Sequence, residues 1–281
     1  MIGLFDTGHG GLTIYKALQA AMPQRHFVYF GDHAEAPYGT KSAADILALT
    51  KAAIIMLFEL GCPLVVLACN TATAVALRTL QQEWLPNSLY KNRRVLGIIV
   101  PTVEIATQTG SGSHSDANET LAVFGTQRTI ESGVYEVEIH KRNPLAKVIP
   151  QICPQLAGAI EAGASEDVCE RHVQDAVIAC LEKTGGFAPQ RAILGCTHFP
   201  IVEHMFKKHL PESTILFSQG AAVADRLSDY LRRHPEFNGA ENKPADVFLT
   251  SGDAARVSRD AKRFLGLSLA FETCAKNTIL Q

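Results

Sequence analysis

Apolar residues in this chain of 281 residues come in short unbroken runs, each ending at small or polar residues and each followed by a stretch with helical spacing. Ile2 to Asp6 reads as a strand, Leu12 to Met22 as a helix, His26 to Gly31 as a strand and Ala43 to Leu60 as a helix. Leu64 to Cys69 then reads as a strand feeding a helix from Thr71 to Trp84, and Val95 to Val100 starts the series again. The run GSGSHSDANE, residues 110 to 119, has the composition of a surface loop. Beyond it come LAVFGT as strand, Thr129 to Tyr135 as a turn of helix, Glu166 to Lys183 as a long amphipathic helix, and AILGC as strand. After Pro211, TILFS and VFLTSGD read as strands, with helices from Ala221 to Arg232 and Ala254 to Phe264. This is the βαβ rhythm of an α/β fold, a parallel sheet with helices on both faces.

Two strand ends share a chemistry. LVVLACNTAT places Cys69 where a buried strand meets a helix, and RAILGCTHFP places Cys196 in the same position, each followed closely by a threonine. A lone cysteine there is ordinarily a small buried hydrophobe. A thiol near a helix N-terminus, however, meets free backbone N–H groups that favour a thiolate. Two such thiols in different halves of the chain suggest two similar layers, each presenting one sulfur to a shared cleft. In open α/β sheets that cleft lies at the carboxyl ends of the strands. Asp6-Thr7-Gly8-His9-Gly10-Gly11 closes the first strand, with glycines that permit tight turning and close approach of an anion. It lacks the spacing of a P-loop and of GxGxxG. Pro37-Tyr38-Gly39-Thr40 and Gly125-Thr126 with Thr129 add hydroxyls and amides at other strand ends, suited to a small carboxylate-bearing substrate.

Composition narrows the class. Hydrophobic residues make up 47% and charged residues 19%, and the formal net charge of -2 gives no reason to expect nucleic acid. No window approaches the length of apolar run that spans a membrane. The opening MIGLFDTGHGG enters an apolar strand at once, so no secretory signal is expected. The seven cysteines are odd in number and include no CxxC pair. They point to a reducing cytoplasm rather than to disulfides or a zinc ribbon. No metal-ligand spacing and no pyridoxal-phosphate motif stands out, so neither a metal nor another cofactor is expected.

Taken together, FDTGHGGLT, GDHAEAPYGTKS, ACNTAT, FGTQRTIESGVY, the stretch from Cys153 to Gly163, LGCTHFP, SQGAAVA and TSGD occur in an order that resembles the glutamate racemases of the cofactor-independent aspartate/glutamate racemase superfamily. ACNTA and GCTHFP are the most specific parts. The resemblance implies two pseudosymmetric Rossmann-like α/β domains with the active site between them, one from 1 to 98 plus 211 to 281, the other from 99 to 210. It implies a cytoplasmic bacterial enzyme that interconverts L- and D-glutamate and supplies D-glutamate for peptidoglycan. A homodimer is compatible with it; a membrane or nucleic-acid partner is not called for.

The chemistry makes a pair of thiols intelligible. Inverting Cα removes a weakly acidic proton from one face and delivers another to the opposite face, so the site needs a base on one side and an acid on the other. A thiol, with an ordinary pKa near ~8.5, can serve as either. By the resemblance Cys69 acts on the D-enantiomer, assisted by Asp6, and Cys196 acts on the L-enantiomer, assisted by His198, with Glu161 placed to polarise that histidine. Thr7, Tyr38, Gly39, Asn70, Thr71, Thr126, Thr129 and Thr197 match positions that surround the amino acid. None is an arginine, so carboxylates would rest on neutral donors and helix N-termini.

The sequence also departs from the family pattern. Thr7 stands where serine is usual, and DHAEAPYG replaces the commoner DTARVPYG, bringing His33 and Glu35 near the entrance. GIIVPTVEIA differs from the commoner IEPG form, and the insertion at 110 to 119 is unusual. An aspartate racemase or another two-cysteine isomerase is the nearest alternative. A non-catalytic binder on the same scaffold, acting through a partner such as DNA gyrase, is a second, although an inert binder has no need of opposed thiols.

Overall fold

The computed structural model describes residues 1–108, 119–237 and 245–274. The chain begins with β1 (Ile2–Asp6), α1 (Leu12–Ala21), β2 (Phe27–Gly31), α2 (Ala43–Glu59), β3 (Leu64–Leu67), α3 (Asn70–Thr79) and β4 (Arg94–Gly97). It continues through α4 (Ile99–Thr107), β5 (Thr120–Gly125), α5 (Gln127–Glu131), α6 (Val134–His140), β6 (Lys147–Ile152), α7 (Leu156–Ala162), α8 (Glu166–Lys183), β7 (Arg191–Gly195), α9 (Glu203–His209) and β8 (Ile215–Phe217). It closes with α10 (Gln219–Arg233), β9 (Val247–Thr250), α11 (Ala254–Leu265) and β10 (Phe271–Thr273).

The strands form two sheets, ordered β10-β9-β2-β1-β3-β4 and β6-β5-β7-β8. Every pairing is parallel. Central strands are buried throughout, as their unbroken apolar runs require: IGLFD and FVYFG have no exposed residue. Helices therefore cover both faces. Leu4, Leu18 and Val66 belong to the core on one side of the first sheet, and Phe5, Leu57 and Leu67 to the core on the other. Each such side chain contributes roughly 1.5–3 kcal/mol by leaving water. The second sheet repeats the plan with one core around Phe124, Val173 and Phe206 and another around Val103, Val123 and Ile193.

Strand order fixes where a ligand can sit. In the first sheet the chain leaves β1 toward β2 on one side and returns to β3 on the other; in the second, β5 is flanked by β6 and β7 in the same way. Each reversal opens a crevice beyond the carboxyl ends of the strands. Cys69 follows β3, and Cys196 follows β7.

Several expectations need correction. The return to the first domain does not fall at residue 211, because β8 pairs with β7 in the second sheet; it falls with α10, whose Val223, Leu227 and Leu231 join the first sheet's core. The strand at Val95 to Val100 ends at Gly97, and Ile99 begins α4. Its Pro101 lies in the first turn, where the missing N–H breaks no helical hydrogen bond. Thr129 to Tyr135 is not one turn, since Gly133 at φ 66° separates α5 from α6. The helix from Thr71 to Trp84 passes into a π-turn at Leu80–Trp84. The loop expected at 110 to 119 lies, except for Glu119, outside the described residues.

Candidate active site

The two crevices face each other across a cleft of about 1780 Å³ lined by both cysteines. Cys69 is the N-cap of α3, and its Sγ accepts from the Ala72 N–H at 3.4 Å. The Thr7 hydroxyl lies 3.7 Å from the same sulfur. This explains a cysteine at the mouth of a strand: the sulfur occupies the acceptor position that a serine or aspartate takes at other helix starts. Burial pushes the Cys69 thiol up to about 12, with Asp6 and Cys196 adding to the rise against the Ala72 N–H and Thr7. Cys69 is therefore a protonated thiol at neutral pH.

Asp6 sits behind this wall, fully buried. Its Oδ2 accepts from the Gly8 N–H at 3.0 Å, while Oδ1 has no hydrogen-bond partner among the described residues. Burial lifts its carboxyl to about 6 against the pull of His198 and of the Gly11 and Gly8 N–H groups. No hydrogen bond joins Asp6 to Cys69 among the described residues; Asp6 acts on that sulfur through its charge.

The second thiol has different company. Cys196 Sγ lies 3.8 Å from His198 Nδ1, and the opposite nitrogen of that ring bonds the Glu161 carboxylate. Burial opposes a charged His198 ring, but Glu161 and Cys196 together hold its pKa well above 6.5. Glu161, despite its burial, is held well below the usual carboxylate range by His198 and His9. An imidazolium beside a sulfur is a counter-ion for a thiolate.

Glu161 also binds across the cleft. Its Oε1 lies 2.6 Å from His9 Nδ1, and both its oxygens accept from the His9 backbone N–H at 3.2 Å. His9 Nε2 donates in turn to the Val257 carbonyl at 3.1 Å. No local pattern marks His9, because its partner lies 152 positions away. The glycines around it exist for this contact. A Cβ at Gly8 would lie 2.7 Å from Glu161 Oε1, and one at Gly10 would lie 2.6 Å from both His198 Nδ1 and Thr197 Oγ1. Thr13 Oγ1 extends the seam by donating to the Thr197 carbonyl at 3.2 Å.

Of the polar residues expected to hold substrate, Thr7 lies at Cys69 and Thr197 in this seam, and the others lie elsewhere on the cleft. Thr71, Thr126 and Thr129 hydroxyls form a triangle with sides of 3.0, 3.2 and 3.0 Å, joining α3 to the start of α5. Thr71 and Thr126 face the cleft; Thr129, fully buried, backs them from behind. Asn70 accepts from the Tyr135 hydroxyl at 2.7 Å, and its buried Nδ2 has no partner among the described residues. That leaves one amide donor on the cleft wall. Tyr38 donates to Asp32 Oδ2 at 2.6 Å, and Asp32 also accepts from Ser251 at 2.6 Å. Gly39 lies tightly against Thr126: a Cβ there would sit 3.2 Å from the Thr126 Cβ, closer than an ordinary contact. Asp32, Tyr135 and Ser251 act on the site through other residues, and no local sequence signal marks them.

The sequence pattern of the Asp/Glu/Hydantoin racemase family spans residues 7–226. This chain belongs to that family. Within this racemase family, the glutamate racemase of Phenylobacterium zucineum is 46% identical over 285 residues, covering 96% of this chain and 99% of its own length. The glutamate racemase RacE1 of Bacillus anthracis superposes with a TM-score of 0.83 at 28% identity, covering 98% of this chain and 97% of its own. The Francisella tularensis glutamate racemase, solved in complex with D-glutamate, gives 0.83 at 28% identity over 99% of this chain and 98% of its own. The racemase match contains both cysteines, Glu161 and His198, and omits Asp6 by one residue.

Proposed function

We propose that this racemase interconverts L- and D-glutamate by moving one proton off Cα to Cys196 while Cys69 delivers another from the opposite face. The observation that carries the reading is the placement of two thiols from two domains on one cleft, one beside an imidazolium and the other held protonated. A thiolate at Cys196, paired with His198, is the base toward L-glutamate; the Cys69 thiol is then the acid. From D-glutamate the roles reverse. Asp6 tunes Cys69 through its charge, and Glu161 keeps His198 charged and in place. The hydroxyls of Thr7, Thr71, Thr126 and Thr197, the Asn70 amide, Tyr38 and the Gly39 backbone surround the amino acid, with Thr129 supporting them. The N-termini of α3 and α5 favour its carboxylates. The high similarity to glutamate racemases supports glutamate over aspartate. All seven cysteines are free thiols, which supports a cytoplasmic enzyme. Its product would be D-glutamate for peptidoglycan. Among the described residues no helix is long and apolar enough to cross a membrane.

A chiral assay against glutamate, aspartate and other amino acids tests the substrate; turnover of glutamate far above the rest is expected. Started from L-glutamate in deuterated water, the D-product should carry deuterium from the first turnover while the remaining L-glutamate starts unlabelled. Early label in the substrate would point to a single base. Near-normal racemisation by Cys69→Ala or Cys196→Ala would reject the two-thiol assignment.

A further inference from the structure

His9 and His33 meet edge to face with ring centroids 4.4 Å apart. One donor atom from each, together with one Glu161 oxygen, forms a set whose members all lie within 4.8 Å of one another. Each ring has its outer nitrogen turned away from the cluster: His9 Nε2 lies 3.1 Å from the Val257 carbonyl, and His33 Nδ1 lies 3.0 Å from the Gly31 carbonyl and 2.9 Å from the Thr250 hydroxyl. A carbonyl oxygen only accepts, so the contacts to Val257 and Gly31 place a proton on both of these nitrogens, with the Thr250 oxygen a second acceptor beside His33. The inner nitrogens, His9 Nδ1 and His33 Nε2, are left to the cluster. His9 Nδ1 shares a proton with Glu161 Oε1 at 2.6 Å. His33 Nε2 is buried and has no hydrogen-bond partner among the described residues, an arrangement that costs free energy unless something uses the lone pair. A backbone carbonyl on the far N–H is also the outer-shell contact that orients metal-binding histidines.

We propose that His9 Nδ1, His33 Nε2 and Glu161 Oε1 form a binding site for a divalent transition metal of the Zn²⁺ class, completed by water. Two imidazoles, one carboxylate and an open position suit Zn²⁺ or Co²⁺. Bonds of about 2.0–2.1 Å require only small rotations of side chains already adjacent. On binding, the proton between His9 and Glu161 leaves to solvent and the ion takes its place. The histidines follow β1 and β2 of the first sheet, whereas Glu161 lies on α7 over the second, so the ion ties the two halves together. It also draws Glu161 from His198 and thereby inhibits. That last consequence rests on the function proposed above; the binding site does not.

The test is a titration of the full chain, first dialysed against a chelator, with Co²⁺ as a spectroscopic probe. Visible d–d bands saturating at one equivalent are expected, with no thiolate charge-transfer band. X-ray absorption at the metal edge should find nitrogen and oxygen ligands and no sulfur, a readout on the unmodified protein that needs no variant. His33→Gln should weaken Co²⁺ binding by at least about 10-fold while keeping the melting temperature and metal-free turnover. Zn²⁺ should inhibit the unmodified enzyme, and a chelator should restore it. Absence of saturable binding, sulfur ligation at the cleft thiols, or undiminished binding by a folded His33→Gln protein would each overturn the site. Saturable binding without inhibition would leave the site in place and reject Glu161's proposed role in turnover.

Discussion

Replacing Asp6 by Asn removes a fully buried carboxyl that has one oxygen without a partner among the described residues. Burial lifts that carboxyl from 3.8 to about 6, outweighing the His198 charge and two backbone N–H groups. The gap of roughly two pH units corresponds to ~3 kcal/mol. Below about pH 3 the carboxyl is protonated whether the chain is folded or not. Between about pH 4 and pH 6 the unfolded chain releases its proton and the folded one keeps it, so stability falls as pH rises. Above the folded value the loss is complete. Asparagine carries no charge at any of these values, so Asp6→Asn should differ from the unmodified protein by less than ~1 kcal/mol at pH 4 and exceed it by ~3 kcal/mol at pH 7. Paired thermal melts at pH 4, 5, 6 and 7 read this directly, because the difference between the two proteins cancels every other titrating group. A difference that stays constant from pH 4 to pH 7 would show that Asp6 titrates alike in the folded and the unfolded chain. The same variant should lose activity and alkylate faster at Cys69, since Asp6 is a leading cause of that thiol's raised pKa after burial. Greater stability with less turnover is the pattern of a carboxylate kept for function.

Glu161→Gln takes away the carboxylate shared by His9 and His198. It should cost about 3 kcal/mol of stability, the lower end for breaking a buried pair because Glu161 is 23% exposed. It should also lower kcat/KM by on the order of 10²-fold, equally in both directions because the enantiomers are equal in energy; wild-type kinetics would reject its role. Gly10→Ala drives a methyl into His198 and Thr197, so melting should report a loss of about 1–3 kcal/mol and kinetics a raised KM, and an unchanged protein would show that the seam is slack. Iodoacetamide at neutral pH should label Cys196 before Cys69, whose pKa of about 12 leaves little thiolate, and glutamate should protect both. Mass spectrometry finding Cys69 first, or only Cys62, Cys153, Cys169, Cys180 or Cys274, would contradict this.

The central strands were legible because burial on both faces forces unbroken apolar runs, and β1, β2 and β3 fall within two residues of their expected bounds. What failed was local and has physical causes. β6 contains Pro150, tolerated because it is an edge strand, and β10 is a three-residue edge with two exposed positions. α7, which carries Glu161, is a seven-residue helix entered through Gln155 at φ 60°, with no capping side chain to announce it. The thiols could be read from the chain because each sits in a strand-end motif. Their cross-cleft partners could not, since His9 meets Glu161 and Asn70 meets Tyr135 only through the packing of the two domains. His33 is visible as a departure from the family pattern, yet its unpartnered Nε2 emerges only with the fold.

The repeated topology brings two sulfurs to equivalent positions, but the groups around them are not equivalent. Cys69 has a buried carboxyl behind it, and Cys196 has an imidazolium backed by a carboxylate. In the proposed mechanism Cys69 starts as the thiol and Cys196, with the His198 imidazolium as counter-ion, as the base when L-glutamate is turned over. One turnover leaves the opposite state: a proton on Cys196 and a thiolate at Cys69. With Cys69 raised to about 12, its thiolate takes up a proton at neutral pH, which resets that face. This asymmetry cannot bias the final mixture, because enantiomers have equal free energies in water and kcat/KM must be the same in both directions. It can act only on how KM and kcat divide that common value. The environments of the two thiols therefore set the working concentration of each enantiomer, and the opposed geometry alone makes the inversion.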